Sequence, residues 1–252
     1  MIPRRGAFVV HHRGERSVVD ANHVLFFTAR QPHRVSHLDL AGDACTVFRF
    51  DQSVLDEAIG EHGPTSPAAA FPRLRAVADD AASFASRRLF VALTAGEADN
   101  LAVEEASLRV LQSALRSAGA RSARAGRDHR IARVTQECLA ERPFERWSLG
   151  TLAAAARASP YHLARSFRAT IGLPIHQYQL RLRLAAGLER LLEGCDDITA
   201  LALDLGFSSH SHFTAAFRRA YGQTPSAIRA RLVRDGLARL RKISTAAPRA
   251  LA

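Results

Sequence analysis

The pattern of apolar and polar positions changes character along the chain. Up to about residue 50, short runs rich in Val and Phe are separated by Gly, Pro, Asn and Asp. The runs "AFVVH", "HVLFFTA" and "CTVFRF" therefore predict strands. From Asp51 the texture turns to Ala, Leu and Arg. "GEHGPTSPAA" predicts a loop. "FPRLRAVADDAASFASRRLFVAL" and "GEADNLAVEEASLRVLQSALRSAG" predict helices. In the second of these, Leu101, Leu108, Leu111 and Leu115 share one stripe, with Glu104 in the remaining position. Such a stripe is either a core face or a dimer seam. "AGARSARAGR", Ala118 to Arg127, is small, polar and basic, and predicts a linker.

From Asp128 onward the periodicity is helical throughout. A first helix over "DHRIARVTQECLAERP" ends near Pro143. Ser148 is an N-cap candidate for "LGTLAAAA". Ser159 followed by Pro160 is a cap with proline at the first helical position, opening "PYHLARSFRATIG". A long helix over "PIHQYQLRLRLAAGLERLLEG" comes next. It is followed by "DITALALDL", "SSHSHFTAAFRRAYG" and "TPSAIRARL", each with a cap-like start.

Two of these segments repeat. "LAAAARASPYHLARSFRATIGLP" begins at Leu152, and "LALDLGFSSHSHFTAAFRRAYGQTP" begins at Leu201. After the turn, His162 aligns with His212, Phe167 with Phe217, Arg168 with Arg218 and Gly172 with Gly222. Each copy is a short helix, a tight turn and a second helix, the helix-turn-helix pattern. In each second helix the apolar residues fall at i, i+4 and i+8: Leu163, Phe167 and Ile171, then Phe213, Phe217 and Tyr221. The opposite faces carry Tyr161, Ala164, Arg165 and Arg168, and His210, Ser211, Thr214, Ala215 and Arg218. Short polar side chains and arginines on such a face suit base edges and phosphates in a major groove. The intervening helix of about 20 residues spans roughly 30 Å. That approaches the roughly 34 Å between successive major grooves on one side of B-DNA.

Charge sharpens this picture. Residues 1–126 hold 15 Arg against 14 acidic residues, a net of +1, while residues 127–252 hold 20 basic against 10 acidic residues, a net of +10. The asymmetry suits a neutral module joined to one that meets a polyanion. The three cysteines, Cys45, Cys138 and Cys195, lack metal-site or disulfide spacing. No apolar run reaches the roughly 18 residues of a membrane helix. "MIPRRGAFVVHHRGE" has no long apolar segment, so no signal peptide is expected. A cytoplasmic protein without a membrane partner is the expectation. His210 and His212 form His-x-His, but on a helix i and i+2 diverge by about 200°, so no metal is expected there. No phosphate loop, nucleophile elbow or HExxH motif marks an enzyme. No catalytic residue and no cofactor are assigned.

The run from about Ile131 to Arg229, above all "ITALALDLGFSSHSHFTAAFRRAYGQTPSAIR", resembles the DNA-binding domain of AraC/XylS-type transcriptional regulators. The resemblance covers about 100 residues. It implies base contacts at Tyr161, Ala164 and Arg165 in the first motif, and at His210, Ser211, Thr214 and Ala215 in the second. His162, Arg168, Ser209 and Arg218 are counted with the same surface, Arg168 and Arg218 as phosphate contacts. Ala164 and Ala215 are short where many members carry longer side chains, and Ile228 stands where an aromatic residue is common. Arg165 in the first helix is then expected to carry more of the specificity. The N-terminal half matches the family's cupin-like effector and dimerisation module more loosely.

The fold class that follows is α+β. A small cupin-like β-module with helices, residues 1–117 (strands to about 50, helices over 51–117), is joined by a linker, 118–127. An all-α double helix-turn-helix domain, 128–232, and a basic tail, 233–252, complete the chain. The expected partner is double-stranded DNA, read by two recognition helices at about 159–171 and 209–221. RNA polymerase is a partner if the protein activates. A small-molecule effector is expected at His11, His23, His33 and His37, and a homodimer at the leucine stripe. Two other classes stay open at this point: an architectural DNA binder without effector, and a cupin-like metal enzyme with a DNA-binding tail.

Overall fold

The computed structural model describes residues 1–12, 14–27, 32–38, 42–60, 74–94, 98–118 and 127–232. Most of the expected linker (119–126), the tail (233–252), most of the expected loop (61–69) and the first residues of the helix expected from Phe71 (71–73) lie outside the described residues.

The N-terminal strands form, though among the described residues "HVLFFTA" is strand only over His23–Leu25 and "CTVFRF" only to Thr46, and polar segments add to them. They are β1 (Ile2–Arg5), β2 (Phe8–His12), β3 (Glu15–Val19), β4 (His23–Leu25), β5 (Arg34–His37), β6 (Ala44–Thr46) and β7 (Arg75–Val77). All pair antiparallel in three small sheets: β1 with β6, β2 between β3 and β5, and β4 with β7. Central strand β2 buries Phe8, Val9 and Val10 in succession. A continuous apolar run is what a strand covered on both faces requires. β3 and β5 are rich in Arg, Ser and His and carry a weaker apolar signal.

Three helices complete this module: α1 (Gln52–Gly60), α2 (Asp80–Thr94) and α3 (Asn100–Ala118). The helix expected through "RLRAVADD" is corrected here. Arg75–Val77 is strand β7, because its backbone pairs with β4 in the core. α2 begins only where the Asp79 carboxylate accepts the Ala82 N–H at 2.6 Å, an N-cap. The leucine stripe of α3 also divides. Leu111 is buried and Leu115 half-buried, whereas Leu101 and Leu108 are 66% and 44% exposed. Only the C-terminal part of α3, through Val110 and Ala114, reaches the core formed with Ile2, Val24 and Phe26.

The second half is helical among its described residues. It comprises α4 (Arg127–Glu141), α5 (Leu149–Ala156), α6 (Pro160–Ile171), α7 (Ile175–Leu192), α8 (Ile198–Asp204) and α9 (His210–Tyr221), then α10 over 225–232. No helix among the described residues is long and apolar enough to cross a membrane. Two cores form side by side. The first joins Ile131 and Leu139 of α4, Leu152 and Ala156 of α5, and Leu163, Phe167 and Ile171 of α6. The second joins Leu201 and Leu205 of the α8 region with Phe213, Phe217 and Tyr221 of α9, and with Ile228. α7 serves both: Tyr178 and Leu182 enter the first core, Leu184, Leu188 and Leu191 the second.

Candidate nucleic-acid interface

The two helix-turn-helix units are built by the same local rules. Ser159 and Ser209 cap α6 and α9 with extended backbones, and each hydroxyl accepts the N–H three residues on, from His162 and His212. Pro160 occupies the first turn of α6. Both helices end on a glycine in the left-handed region, Gly172 and Gly222. Each buries its i, i+4, i+8 ridge, and Phe167 and Phe217 are fully buried.

The ridges fix the outer faces. Tyr161, Ala164, Arg165 and Arg168 are exposed on α6, with Tyr161 at 78%. His210, Ser211, Ala215 and Arg218 are exposed on α9. Arg165, Arg168, Arg218 and Arg219 have no ion-pair partner among the described residues. Arg133, Arg181 and Arg190, elsewhere in the same half, hold Glu137, Asp80 and Asp204. Arginines without an ion-pair partner among the described residues thus project from the outer faces of both helices.

Three expected site residues are placed differently from their neighbours. His162 is half-buried and turned toward Asp128 (3.4 Å) and Ser166 (3.4 Å). Ser209 uses its hydroxyl as the cap of α9. Thr214 is half-buried, and its Oγ1 is enclosed without a hydrogen-bond partner. His212 packs edge-on against Phe207 at 5.3 Å, and its Nδ1 lies 3.1 Å from Ser208 Oγ. The outer face of α9 therefore presents less hydrogen-bonding capacity than its sequence suggests.

The residues that position these helices carry little sequence signal. Arg183 of α7 donates to the carbonyls of Pro143 (3.1 Å), Glu145 (2.9 Å), Phe144 (3.4 Å) and Gly206 (2.9 Å). One guanidinium thereby ties the loop before α5 to the turn after α8. Gly206 has φ +78°, and a Cβ there would lie 2.5 Å from the Phe144 carbonyl oxygen. Its counterpart in the first turn is Arg157, at φ 51°. Gly187 admits the second unit onto α7, since a Cβ there would meet Leu205 at 2.9 Å and the Phe213 ring at 3.1 Å.

The first unit is also fastened to the β-module through buried polar groups. Tyr178 packs edge-on against Phe167 of α6 with centroids 5.4 Å apart. Its hydroxyl donates to Asp20 and accepts from Gln136 Nε2 at 3.0 Å. Asn22 Nδ2 donates to the Tyr178 carbonyl at 3.2 Å. His23 lies 3.0 Å from Asp20 through Nδ1, and Arg75 donates to its Nε2 at 2.6 Å. A guanidinium has only donors, so His23 is neutral, with its proton on Nδ1. Burial holds the His23 imidazole below its usual range, and Arg75 adds to this against Asp20. Burial opposes ionisation of Asp20, but hydrogen bonds from His23, Tyr178 and Asn22 hold it below the usual carboxylate range. Burial beside Asp20 pushes the Tyr178 phenol well up.

The N-terminal histidines are not gathered into one cluster. His23 is fully enclosed in the network above. His11 lies 2.8 Å from Ser36 Oγ, His37 3.0 Å from Asp43, and the His33 ring lies tilted against Phe27 with centroids 4.4 Å apart. Among the described residues no group of three or more His, Cys, Asp or Glu is placed to hold a metal. A cavity of about 480 Å³ instead opens where β1, α2 and α7 meet, lined by Arg4, Phe90, Val91, Glu189 and Leu192 among others.

Comparison with known proteins agrees with this architecture. Residues 152–231 match the model of a helix-turn-helix domain family. Over 102 residues the chain is 32% identical to the HTH-type transcriptional regulator MtrA of Neisseria gonorrhoeae, covering 40% of this chain and 34% of that protein. Over 95 residues it is 36% identical to the HTH-type transcriptional regulator GlxA of Rhizobium meliloti, covering 38% of this chain and 28% of that protein. A solved transcriptional regulator of the AraC-type DNA-binding-domain class from Chromobacterium violaceum is 26% identical, with a TM-score of 0.39, covering 41% of this chain and 93% of that one. The chain spans about a third of the length of the curated relatives it matches. Over this stretch its helical half is similar to helix-turn-helix transcriptional regulators, among them AraC-like ones.

Proposed function

We propose that the protein is a sequence-specific transcriptional regulator that sets α6 and α9 into adjacent major grooves of duplex DNA. The observation that carries this reading is the pair of helices bearing arginines without an ion-pair partner among the described residues, mounted on one helix of 18 residues. At about 1.5 Å per residue, α7 spans about 27 Å, close to one turn of B-DNA. The basic half supplies attraction to phosphates, and the outer faces supply sequence preference. Tyr161, Ala164 and Arg165 read bases in the first groove; His210, Ser211 and Ala215 read the second, with apolar contact to thymine methyls. Arg168 and Arg218 hold phosphates.

The N-terminal module supplies the regulatory input. A small molecule entering the cavity at the β1–α2–α7 junction would touch the module and α7 together, and so alter the posture of both units. Leu101 and Leu108, left exposed on α3, are the positions for pairing with a second copy. The test is selection from a random duplex pool with full-length protein at physiological salt. Two short preferred blocks about 10 base pairs apart are expected. A single block would reduce α9 to a backbone anchor, and no enrichment would sink the reading in favour of a non-specific DNA binder.

A further inference from the structure

The β-module carries a concentration of positive charge that neither recognition helix explains. On central strand β2, His11 lies directly opposite Arg16 of β3 and directly opposite Arg34 of β5. Residues paired in this way share one face, with Cβ atoms about 4.5–5.5 Å apart. Three basic side chains therefore stand in one row, about 10 Å from end to end at strand spacing. The two guanidiniums flanking the imidazole, about 10 Å apart, repel one another within a Debye length, so the row favours a negative charge between them.

The protein supplies little of it. The carboxylate nearest Arg16 is Glu137 of α4 at 3.8 Å, and Glu137 is already held by Arg133 at 2.6 Å. Arg34 is exposed and has no carboxylate partner among the described residues. Two guanidiniums thus share the Glu137 carboxylate, and the Arg34 guanidinium has none among the described residues. The Ser36 hydroxyl, 2.8 Å from His11 Nε2, adds a neutral donor and acceptor beside the imidazole. One step along the same face, Val9 and Val18 are buried, so the row sits at the open rim of a covered floor.

We propose that Arg16, His11 and Arg34, with the Ser36 hydroxyl, form a phosphate-binding site on the β-module, separate from both helix-turn-helix units. Guanidinium forks match phosphate oxygens two at a time. Two forks with a hydroxyl and an imidazole between them offer more donors than the two oxygens of a carboxylate can accept. The phosphate belongs either to the DNA backbone or to a small phosphorylated molecule. Arg16 reaches toward α4, the first helix of the DNA-binding half, so a duplex held by that half is within the first possibility. Desolvation in the sheet, with Arg34 and Arg16 beside it, keeps the His11 imidazole below its usual range, and a bound phosphate would raise it.

Two measurements on the full-length protein decide the matter. The first follows histidine imidazole resonances during titration with inorganic phosphate, His11→Gln identifying the signal of interest. The second compares the salt dependence of DNA affinity between the parent and Arg16→Ala/Arg34→Ala. These exposed positions leave the fold intact. If DNA phosphate is the occupant, the slope of log K against log salt falls by about 1 to 2 in the double variant, at roughly 0.9 per lost contact. If a small phosphorylated molecule is the occupant, the slope is unchanged, while the His11 signal shifts saturably in the parent and not in the double variant. An unchanged slope with no saturable His11 shift at millimolar phosphate overturns the site. The titration needs no DNA, so it is decided independently of whether α6 and α9 read sequence.

Discussion

The two helix-turn-helix units share caps, ridges and terminal glycines, yet they are held in place by different physics. The first unit meets the β-module through a buried polar network in which Asp20, Asn22, His23, Gln136 and Tyr178 satisfy one another. The second is held by rings and close backbone approach. Phe213, Phe217 and Tyr221 form a ladder at 5.4 and 4.7 Å, and Phe84 of α2 stacks on Tyr221 at 5.4 Å. An apolar contact tolerates small shifts, whereas a buried polar network fails when one member is lost. Under the proposed function, the first unit is therefore the one expected to respond to the N-terminal module. It also carries the longer exposed side chains, Tyr161 and Arg165.

Removing a central ring is the harshest way to separate the units. Phe167→Ala and Phe217→Ala should each cost about 3–5 kcal/mol in urea unfolding. Phe217→Ala should erase one block of the selected DNA site and spare the other; loss of both blocks would show that the units do not fold separately. Gly206→Ala should cost about 1–3 kcal/mol from backbone strain alone, with the Phe144 carbonyl clash added. Gly222→Ala, with similar φ and open space around it, should cost less, and equal costs would dismiss the contact between the two turns.

Tyr178→Phe keeps the packing on Phe167 but leaves Asp20 short of a donor, at about 1–3 kcal/mol. The network also sets a pH dependence. His23 is neutral when folded, with its pKa depressed, while the unfolded chain takes up that proton below about pH 6.5. Stability should accordingly fall as pH drops below about 6.5, by up to about 1.4 kcal/mol per pH unit, until the depressed folded pKa is reached. His23→Gln should flatten that slope; an unchanged profile would mean that His23 is not the titrating group. On the DNA side, Arg165→Ala should cost about 1–3 kcal/mol and relax preference at one base position, whereas Arg218→Ala should weaken all sequences alike and lower the salt slope by about 1. The gentlest probe is Arg157→Gly. Relief of a left-handed arginine, less the entropy glycine brings to the unfolded chain, should raise stability by up to about 1 kcal/mol.

The helical half was legible because its signals are local. Ser159 before Pro160, and phenylalanines at i and i+4, declare a capped helix with an inner ridge whatever surrounds them. The β-module was harder to read. β7 lies in a segment of good helix formers and becomes a strand only because β4 is there to pair with it. Thr214 shows a limit of helical-wheel reasoning, since its place on the outer face does not reveal that its hydroxyl is enclosed. Tyr178 and Arg183 are further cases. Their partners lie 158 residues away at Asp20 and 23 residues away at Gly206, separations that no periodicity encodes.

The Arg183 contacts make a rigid caliper of the DNA-binding half. With the loop before α5 and the turn after α8 gripped by one guanidinium, the jaws cannot open by sliding along α7. One extra base pair between the two blocks would displace the far groove by about 3.4 Å and rotate it by about 34° around the duplex axis. To follow that movement, Arg183 would have to release the carbonyls on one side of its grip. Its binding sites across a genome should therefore vary in lettering but hold a single spacing.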